Sequence, residues 1–463
     1  MGIFDSMDVL TNNNRVFWAK VDLSLFNLGE KILYQSLATI KTGSSTFKTR
    51  NLMIVNSTLY FCGKSNDKIK RKSNISWKTV RAFEEQSEKN KQDKRFIIQI
   101  GSIVCEEFFF YNPEIFENWL ECIGRVAIMT DFQSQYTLVK KIGSGSFSNV
   151  YLATELSSLK DYAVKNAYKE KILGSLRGVT SIINEIQIMR QMDHPGIVKL
   201  HKVFENDEAI LLILDYLPGG SLVQRMAVEK KMIEAKAKKL TNNLLNICCY
   251  LHKFSIVHRD LKLDNILFSS VENEDQIKLV DFGLSCYLSE THSLRCGSPG
   301  YIAPEILSNN AFNEKSDLFS IGIIIYILIC GHSPYSGSST SEILKKNRLG
   351  QIYFIETEWL GVSQGCIDLI LELTKADPNM RPSAAEALMH PWLNSKKPTY
   401  IFMPYKEKII FPSNSTGKKI SSRLMERFQS NKRIERPENK KEIKVDETRA
   451  IKITEMLRKT ENN

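Results

Sequence analysis

No apolar run in this chain reaches the length needed to cross a bilayer. The most apolar stretch, IGIIIYILICG from Ile321, is about half a membrane span and reads as a buried core helix. The N-terminus has no basic start followed by an apolar segment, so no secretory signal is expected. The nine cysteines, at 62, 105, 122, 248, 249, 286, 296, 330 and 366, form no CxxC pair and no Cys/His cluster with zinc spacing. They read as reduced cytosolic thiols packed as small hydrophobes, not as a disulfide scaffold. There is no internal repeat and no DxDxDG calcium loop, so any calcium control must come from a separate protein. These absences leave a cytoplasmic protein that is soluble or peripherally attached to a membrane.

What is present is 463 residues, enough for two to three domains, with 43% hydrophobic residues and a net charge of +11. The charge is uneven. Residues 1–135 hold 18 Lys/Arg against 15 Asp/Glu, residues 136–393 hold 27 against 28, and residues 394–463 hold 18 against 9. Within the first part, residues 41–81 hold ten Lys/Arg against one Asp. Two basic patches therefore flank a neutral domain, and such patches attract phosphates on lipid, nucleic acid or acidic protein alike.

Residues 1–24 read as an N-terminal arm, polar and Asn-rich. From there to about 130 the runs KILYQSLATI, STFKTRNLMIV, STLYFCGK, NISWKTVRAFE, RFIIQI and CEEFFFY alternate as strands do, with Gly, Ser and Asn turns between them. The next segment, PEIFENWLECIGRVAIM, changes to helical spacing, with Phe116, Trp119, Leu120, Ile123 and Val126 on one face. Six or seven strands followed by one amphipathic helix predict a barrel or sandwich capped by a C-terminal helix. Residues 136–230 mix strands with the helix SIINEIQIMRQM, residues 235–393 are mainly helical, and the chain beyond is polar and charged. The fold class is α+β.

The middle segment carries phosphate chemistry. In IGSGSFSNV (Ile142, Gly143, Ser144, Gly145, Ser146, Phe147, Ser148, Asn149, Val150) two glycines let a hairpin turn bring backbone N–H groups close to phosphate oxygens. Apolar alternation on both sides makes this a strand–turn–strand, which argues against a dinucleotide fold. Lys165, in the strand-like AVK, would be a costly core charge unless paired, and Glu185 in the following helix can pair it. In HRDLKLDN, Asp260 is placed to accept a proton from an attacking hydroxyl and Lys262 to neutralise the transferring phosphoryl. Asn265 and Asp281 offer a neutral and an anionic oxygen to Mg2+.

The ordered set IGSGSFSNV, AVK, Glu185, HRDLKLDN, DFG, APE, DLFSIG and Arg381 resembles a eukaryotic protein kinase domain over residues 136–393. Leu261–Lys262 and GSPGYIAPE resemble serine/threonine kinases, and GSFSNVY, HPGIVKL and HPWL resemble the calcium/calmodulin-dependent group. The resemblance implies a two-lobed fold with Mg-ATP in the cleft and a protein substrate; no nucleic-acid partner is expected. It implies Leu214 as gatekeeper, Asp215 to Leu217 as hinge, and Ala163, Ser221 and Leu267 among the ATP-binding residues. It implies a Glu305–Arg381 ion pair, Asp317 bracing the catalytic loop, and Met189, His258 and Phe282 in a hydrophobic spine. The activation segment offers Ser289, Thr291 and Ser293 for phosphorylation, with Arg259 as a partner for the phosphate. The rival class is a scaffold that binds nucleotide without transfer, but Lys165, Asp260, Asn265 and Asp281 are all present.

Residues 25–130 resemble a pleckstrin-homology domain, through strand order and a closing helix with a central Trp119. In that family a turn reading Lys, a short run, Lys/Arg, any residue, Arg binds inositol phosphates, and Lys41, Lys48 and Arg50 fit. Lys48 and Arg50 alternate along a strand and so share a face. The run KIKRK from Lys68 would sit on a neighbouring loop. MGIFDSMD matches the N-myristoylation pattern at Gly2, and a single acyl chain needs a second membrane signal such as a basic domain. The alternative for the turn is a solvated basic hairpin or a protein contact. In the tail, residues 394–463, Ile420, Leu424 and Phe428 recur every four residues, as in helices that bind calmodulin or anionic membranes. The alternative there is a solvated, disordered segment.

Overall fold

The computed structural model of the protein describes residues 2–4, 19–20, 32–41, 47–62, 69–86, 94–101, 105–145, 148–272, 275–290, 296–308 and 313–394. In the first part lie β1 (Ala19–Lys20), β2 (Ile32–Lys41), β3 (Phe47–Val55), β4 (Thr58–Cys62), β5 (Ile69–Asn74), β6 (Thr79–Gln86), β7 (Lys94–Ile100) and β8 (Glu106–Phe110). They are antiparallel neighbours in the order β1-β5-β4-β3-β2-β8-β7-β6. The pairing of β2 with β8, Ile40 opposite Phe108, joins the early strands to the late ones. Alternation puts Ile40, Leu52, Ile54, Leu59, Ile98 and Phe108 in one core.

Helix α1 (Pro113–Gly124) follows. It starts where Asn112 accepts hydrogen bonds from the Glu114 and Ile115 N–H groups and Pro113 fills the first turn, where a missing N–H is harmless. Its apolar stripe, Phe116, Trp119, Leu120 and Ile123, is buried in the same core. Trp119 is only 1% exposed, and its indole N–H donates to Ser36 Oγ at 2.7 Å. Burying the ring therefore leaves no polar atom unpaired. Val126, assigned to this face by spacing, lies beyond the helix end.

Two features differ from the sequence reading. The KIKRK run is not on a loop: Ile69 to Lys72 belong to β5, which pairs with β4 from Cys62–Ile69 to Thr58–Asn74. Cationic side chains hide the alternation, and the strand forms because β4 offers an edge for it to pair with. Secondly, the two sheets are not separate. The two-residue strand β9 (Ile128–Met129) runs parallel to β6 on one side and to β13 (Leu200–Glu205) on the other. Among the described residues one sheet of 14 strands results, continuing through β14 (Ala209–Asp215), β12 (Asp161–Tyr168), β11 (Ser148–Glu155) and β10 (Tyr136–Ser144).

Helix α2 (Gly178–Gln191) packs on this second part of the sheet. Beyond it the chain is mainly helical: α3 (Leu222–Glu229), α4 (Glu234–Lys253), α5 (Lys315–Cys330), α6 (Thr340–Leu349) and α7 (Gln364–Leu373). Between α4 and α5 lie β15 (Ile256–Val257), which pairs with β18 (Cys286–Tyr287), and the hairpin of β16 (Ile266–Phe268) and β17 (Ile277–Leu279). The apolar run from Ile321 is α5, buried on every side from Ser316 to Cys330, as expected of a central core helix. Among the described residues no helix is long and apolar enough to cross a membrane. None of the nine cysteines is in a disulfide. Cys330 meets His332 Nε2 at 3.1 Å and Glu358 at 3.3 Å, and burial with the bond to Glu358 pushes its thiol up to about 11. It is thus a protonated donor at neutral pH, and the grouping is closed by Glu358, which a scan for Cys/His spacing does not see.

Arg381 is held in place by the packed helices. Its guanidinium makes two 2.7 Å bonds to the Glu305 carboxylate and donates to the carbonyls of Lys375, Lys315 and Ala376. Both side chains are almost fully buried. Removing one partner strands the other charge, so Arg381→Ala should cost about 3–5 kcal/mol. Urea unfolding followed by tryptophan fluorescence checks this; a loss below about 1 kcal/mol would mean the pair is hydrated.

Candidate functional site

The expected strand–turn–strand is the β10–β11 hairpin, with Gly143 opposite Val150 and Ser144 opposite Asn149. The Gly145 N–H donates to the Ser148 carbonyl at 2.7 Å. Ser146 and Phe147, at the tip, lie outside the described residues. A Cβ at Gly143 or Gly145 would meet nothing closer than 3.5 Å. The chain's own packing therefore does not require glycine at either position. A requirement for close approach must come from what lies over the hairpin.

β11 carries the neighbouring β12 in register, with Val150 opposite Lys165, so the Lys165 side chain extends below the hairpin. Its Nζ lies 2.6 Å from Glu185 Oε1 on α2 and 2.9 Å from Asp281 Oδ1. Burial alone would push the Lys165 ammonium down, but the carboxylates of Asp281 and Glu185 hold it above its ordinary value. The same ammonium holds Asp281 well below the usual carboxylate range. Glu185 lies deeper, and burial raises it. Asp281 is thus the more readily ionised and more exposed of the two, 49% against 4% for the side chains. It sits at φ +62°, a left-handed conformation that costs a non-glycine residue about 1 kcal/mol or more. The adjacent Gly283 carbonyl accepts from Ser181 Oγ of α2 at 2.5 Å, a second tie between the helix and this loop.

HRDLKLDN forms a loop braced from below. Asp317, at the start of α5, accepts from the His258 and Arg259 N–H groups at 2.9 Å each and faces His252 Nε2 at 3.1 Å. His258 is fully buried and packs edge-on against Phe282 at 5.1 Å, and Met189 is buried in the same cluster. Arg259, at φ +68°, donates from Nε to the Leu284 carbonyl at 2.5 Å. Asp260 is 8% exposed. Its Oδ2 accepts from Lys262 Nζ at 2.7 Å and from Asn265 Nδ2 at 3.2 Å, and its Oδ1 accepts from Ser298 Oγ at 2.7 Å. Lys262 also reaches Ser298 Oγ at 2.7 Å. Ser298 was not singled out from the sequence, although GSPGY was noted; it closes a ring of polar atoms around Asp260.

The β16–β17 hairpin brings Asn265 to Asp281, because the Val280 N–H donates to the Asn265 carbonyl at 2.9 Å. The Asn265 amide nitrogen is used on Asp260, which fixes the direction of its oxygen. Asp281 uses Oδ1 on Lys165. A carboxylate and an amide oxygen on adjoining segments form a hard-oxygen donor set that fits Mg2+. At the back of the cleft Leu214 pairs with Ala163, and Leu217 is buried. The Asp215 carboxylate accepts from His201 at 2.7 Å and Lys278 at 2.9 Å. Burial works to raise it, but these bonds hold it well below the usual range. Ser221 caps α3 in a reciprocal pair with Gln224 and bridges to Leu267.

The remaining expected residues fall on the N-terminal sheet, at Gly2, or outside the described residues. Lys48 and Arg50 are on the outer end of β3, opposite Ile40 and Ala38, on the face that continues into core Leu52 and Ile54. Lys48 is exposed and Arg50 half-buried, with a bond to the Thr49 carbonyl. The side chain of Lys41, the turn 42–46, Thr291, Ser293 and the tail from 395 onward lie outside the described residues. Gly2 is described, against Glu205.

Asp317 carries a pH dependence. Burial would raise its carboxyl, but the bonds from His252 and the His258 N–H hold it below its ordinary value. A depressed folded pKa means a contribution that is whole above the unfolded value, near ~3.9, and lost as pH falls through the folded value. Asp317→Asn should cost about 1–3 kcal/mol at pH 7 and flatten the fall of stability below about pH 4. Urea midpoints across that range check it; parallel curves for the two proteins would refute the assignment.

The protein kinase domain family matches residues 136–393. A probable serine/threonine-protein kinase 2 from Plasmodium falciparum is 36% identical over 266 residues, 57% of this chain and 51% of that protein. Myosin light chain kinase A from Dictyostelium discoideum is 34% identical over 269 residues, 58% of this chain and 90% of that protein. Calcium-dependent protein kinase 3 from Plasmodium berghei is 35% identical over 262 residues, 56% of this chain and 46% of that protein. The chain thus spans about half the length of two of these relatives. With the family match covering more than half of its residues, and with Lys165, Asp260, Asn265 and Asp281 gathered in one cleft, this chain belongs to the protein kinase family.

Proposed function

We propose that the protein is an ATP-dependent serine/threonine kinase of the calcium/calmodulin-dependent type, acting on protein hydroxyls. One observation carries the reading: Lys165 Nζ bridges Glu185 and Asp281 at 2.6 and 2.9 Å, joining β12, α2 and the DFG loop. That bridge serves nucleotide binding, and what a binding-only scaffold would not need is the proton acceptor, Asp260, held by Lys262, Asn265 and Ser298 at 2.7, 3.2 and 2.7 Å.

In this reading the β10–β11 hairpin lays its N–H groups over the phosphates. Lys165 meets the α- and β-phosphates, with Ile142, Val150, Ala163 and Leu267 around the base and the Asp215 to Leu217 backbone as hinge. Asn265 and Asp281 would hold Mg2+, which would supply charge neutralisation to the phosphate oxygens. Asp260 accepts the substrate hydroxyl proton as the new O–P bond forms and the bond to the β–γ bridging oxygen breaks, releasing ADP. Lys262 offsets charge on the transferring group. Asp260→Asn should lower kcat by about 10²–10⁴-fold while ATP still binds, whereas Lys165→Met should weaken nucleotide binding as well. Radiolabelled transfer to a basic peptide and a fluorescent-nucleotide titration separate the two; an active Asp260→Asn protein would sink the assignment.

We further propose that the N-terminal sheet is pleckstrin-homology-like and recruits the kinase to phosphoinositide membranes on the cytoplasmic side. The strand order, the Trp119 helix and the shared face of Lys48 and Arg50 support this. Wild type should sediment with vesicles bearing phosphoinositides, and a Lys48→Ala/Arg50→Ala protein should lose about tenfold in affinity. Equal binding by both would make the turn a plain basic hairpin. The acylation and calmodulin readings remain sequence expectations; the tail lies outside the described residues.

A further inference from the structure

Helix α2 presents Glu185 to Lys165 near its middle, and its far end is gripped by residues that precede the kinase segment. Arg190 NH1 donates to the Ser76 carbonyl and NH2 to the Ala127 carbonyl, both at 2.7 Å. These carbonyls belong to the β5–β6 turn and to the segment leading into β9. The guanidinium carbon lies over the Trp77 ring at 5.4 Å. The other partner of that ring is Phe4, stacked at 5.4 Å with planes 11° apart. Phe4 is fully buried and shares a core cluster with Ile182 and Ile186 of α2.

The backbone beside Phe4 is fixed as firmly. The Ile3 and Phe4 N–H groups donate to the Glu205 carboxylate at 2.6 and 3.4 Å. Lys169, four residues after Lys165, bonds the same carboxylate at 2.8 Å. Glu205 is 4% exposed as a side chain, so it cannot move aside cheaply. A Cβ on Gly2 would sit 2.6 Å from one of its oxygens. Close approach thus gives a reason for glycine at position 2 that is independent of acylation.

We propose that Phe4, Trp77 and Arg190 are positioning residues that act through Glu185. The N-terminal segment and the β5–β6 turn clamp α2 where its glutamate meets Lys165. This rests on the reading of the Lys165–Glu185 pair as the nucleotide-holding pair. The chemistry suits a clamp: a planar guanidinium is fixed at once by two carbonyls and a ring face, which a lysine cannot reproduce. The aromatic stack passes that constraint to the chain's first residues.

The test uses the full chain with three substitutions, Phe4→Ala, Phe4→Leu and Arg190→Lys, each read by hydrogen exchange and by kinetics. In Phe4→Ala and Arg190→Lys, amides of residues 178–191 should exchange about tenfold faster, while those of 315–330, in the distant core helix, should not change. The KM for ATP should rise and kcat fall, together about tenfold in kcat/KM, and Phe4→Leu should recover most of the loss. Unchanged exchange across 178–191 in both variants would overturn the clamp. So would faster exchange spread equally over 315–330, which would mean general loss of stability. The exchange arm needs no catalysis. A wild type that transfers no phosphate would therefore refute the kinase reading and leave the clamp to be judged by exchange alone.

Discussion

A buried ammonium must be compensated, and the way Lys165 is compensated organises the upper half of this molecule. Glu185 comes from a helix and Asp281 from a loop 116 residues away from Lys165, so a sheet, a helix and a loop must all be correctly placed before the charge is satisfied. Each carboxylate has its own environment. Glu185 is sunk beside the helix, where burial works against its charge, while Asp281 faces the cleft and keeps its charge under the pull of the lysine. The result is one anchored partner and one outward-facing anion. That asymmetry is what a site needs if it is to hold a cation-bound, highly charged nucleotide without losing its own geometry.

Much of this cleft was legible because its chemistry is local in sequence. Asp260, Lys262 and Asn265 lie within six residues, and the two glycines of the hairpin fall between alternating runs whose strand character shows. What escaped was whatever depended on distant partners. Ser298 hydrogen-bonds Asp260 across 38 residues, and no spacing rule marks it. The carboxylate of Asp215, assigned to the hinge, is taken up by His201 and Lys278, 14 and 63 residues away. β5 was read as a loop because four of the five residues in KIKRK are cationic. The alternation reads boundaries within a sheet and is silent about pairing between sheets, so β9, two residues long, carried no signal at all.

The position of that small strand changes the meaning of the first 130 residues. They could have been an address label on a flexible leash. Instead Met129 pairs with Val80 on one side and with Phe204 on the other, and Arg190 reaches back to Ser76 and Ala127. The N-terminal sheet and the helix that carries Glu185 are therefore held by the same contacts, which a flexible tether would not provide.

The shared sheet also bears on where the chain can be cut. A fragment beginning at Tyr136, where the family match starts, would lack Met129 and leave the backbone of Phe204 without its neighbour. It would lose Phe132 as well, which stacks on Tyr136 at 5.5 Å and packs edge-on against Phe204 at the same distance. The strand so uncovered, LHKVFE, carries Val203 and Phe204, both buried in the whole chain. An open strand edge invites pairing with other molecules. The packing around this sheet therefore begins upstream of the kinase motifs, and a segment cut at the motif boundary would expose that edge for reasons unrelated to its active site.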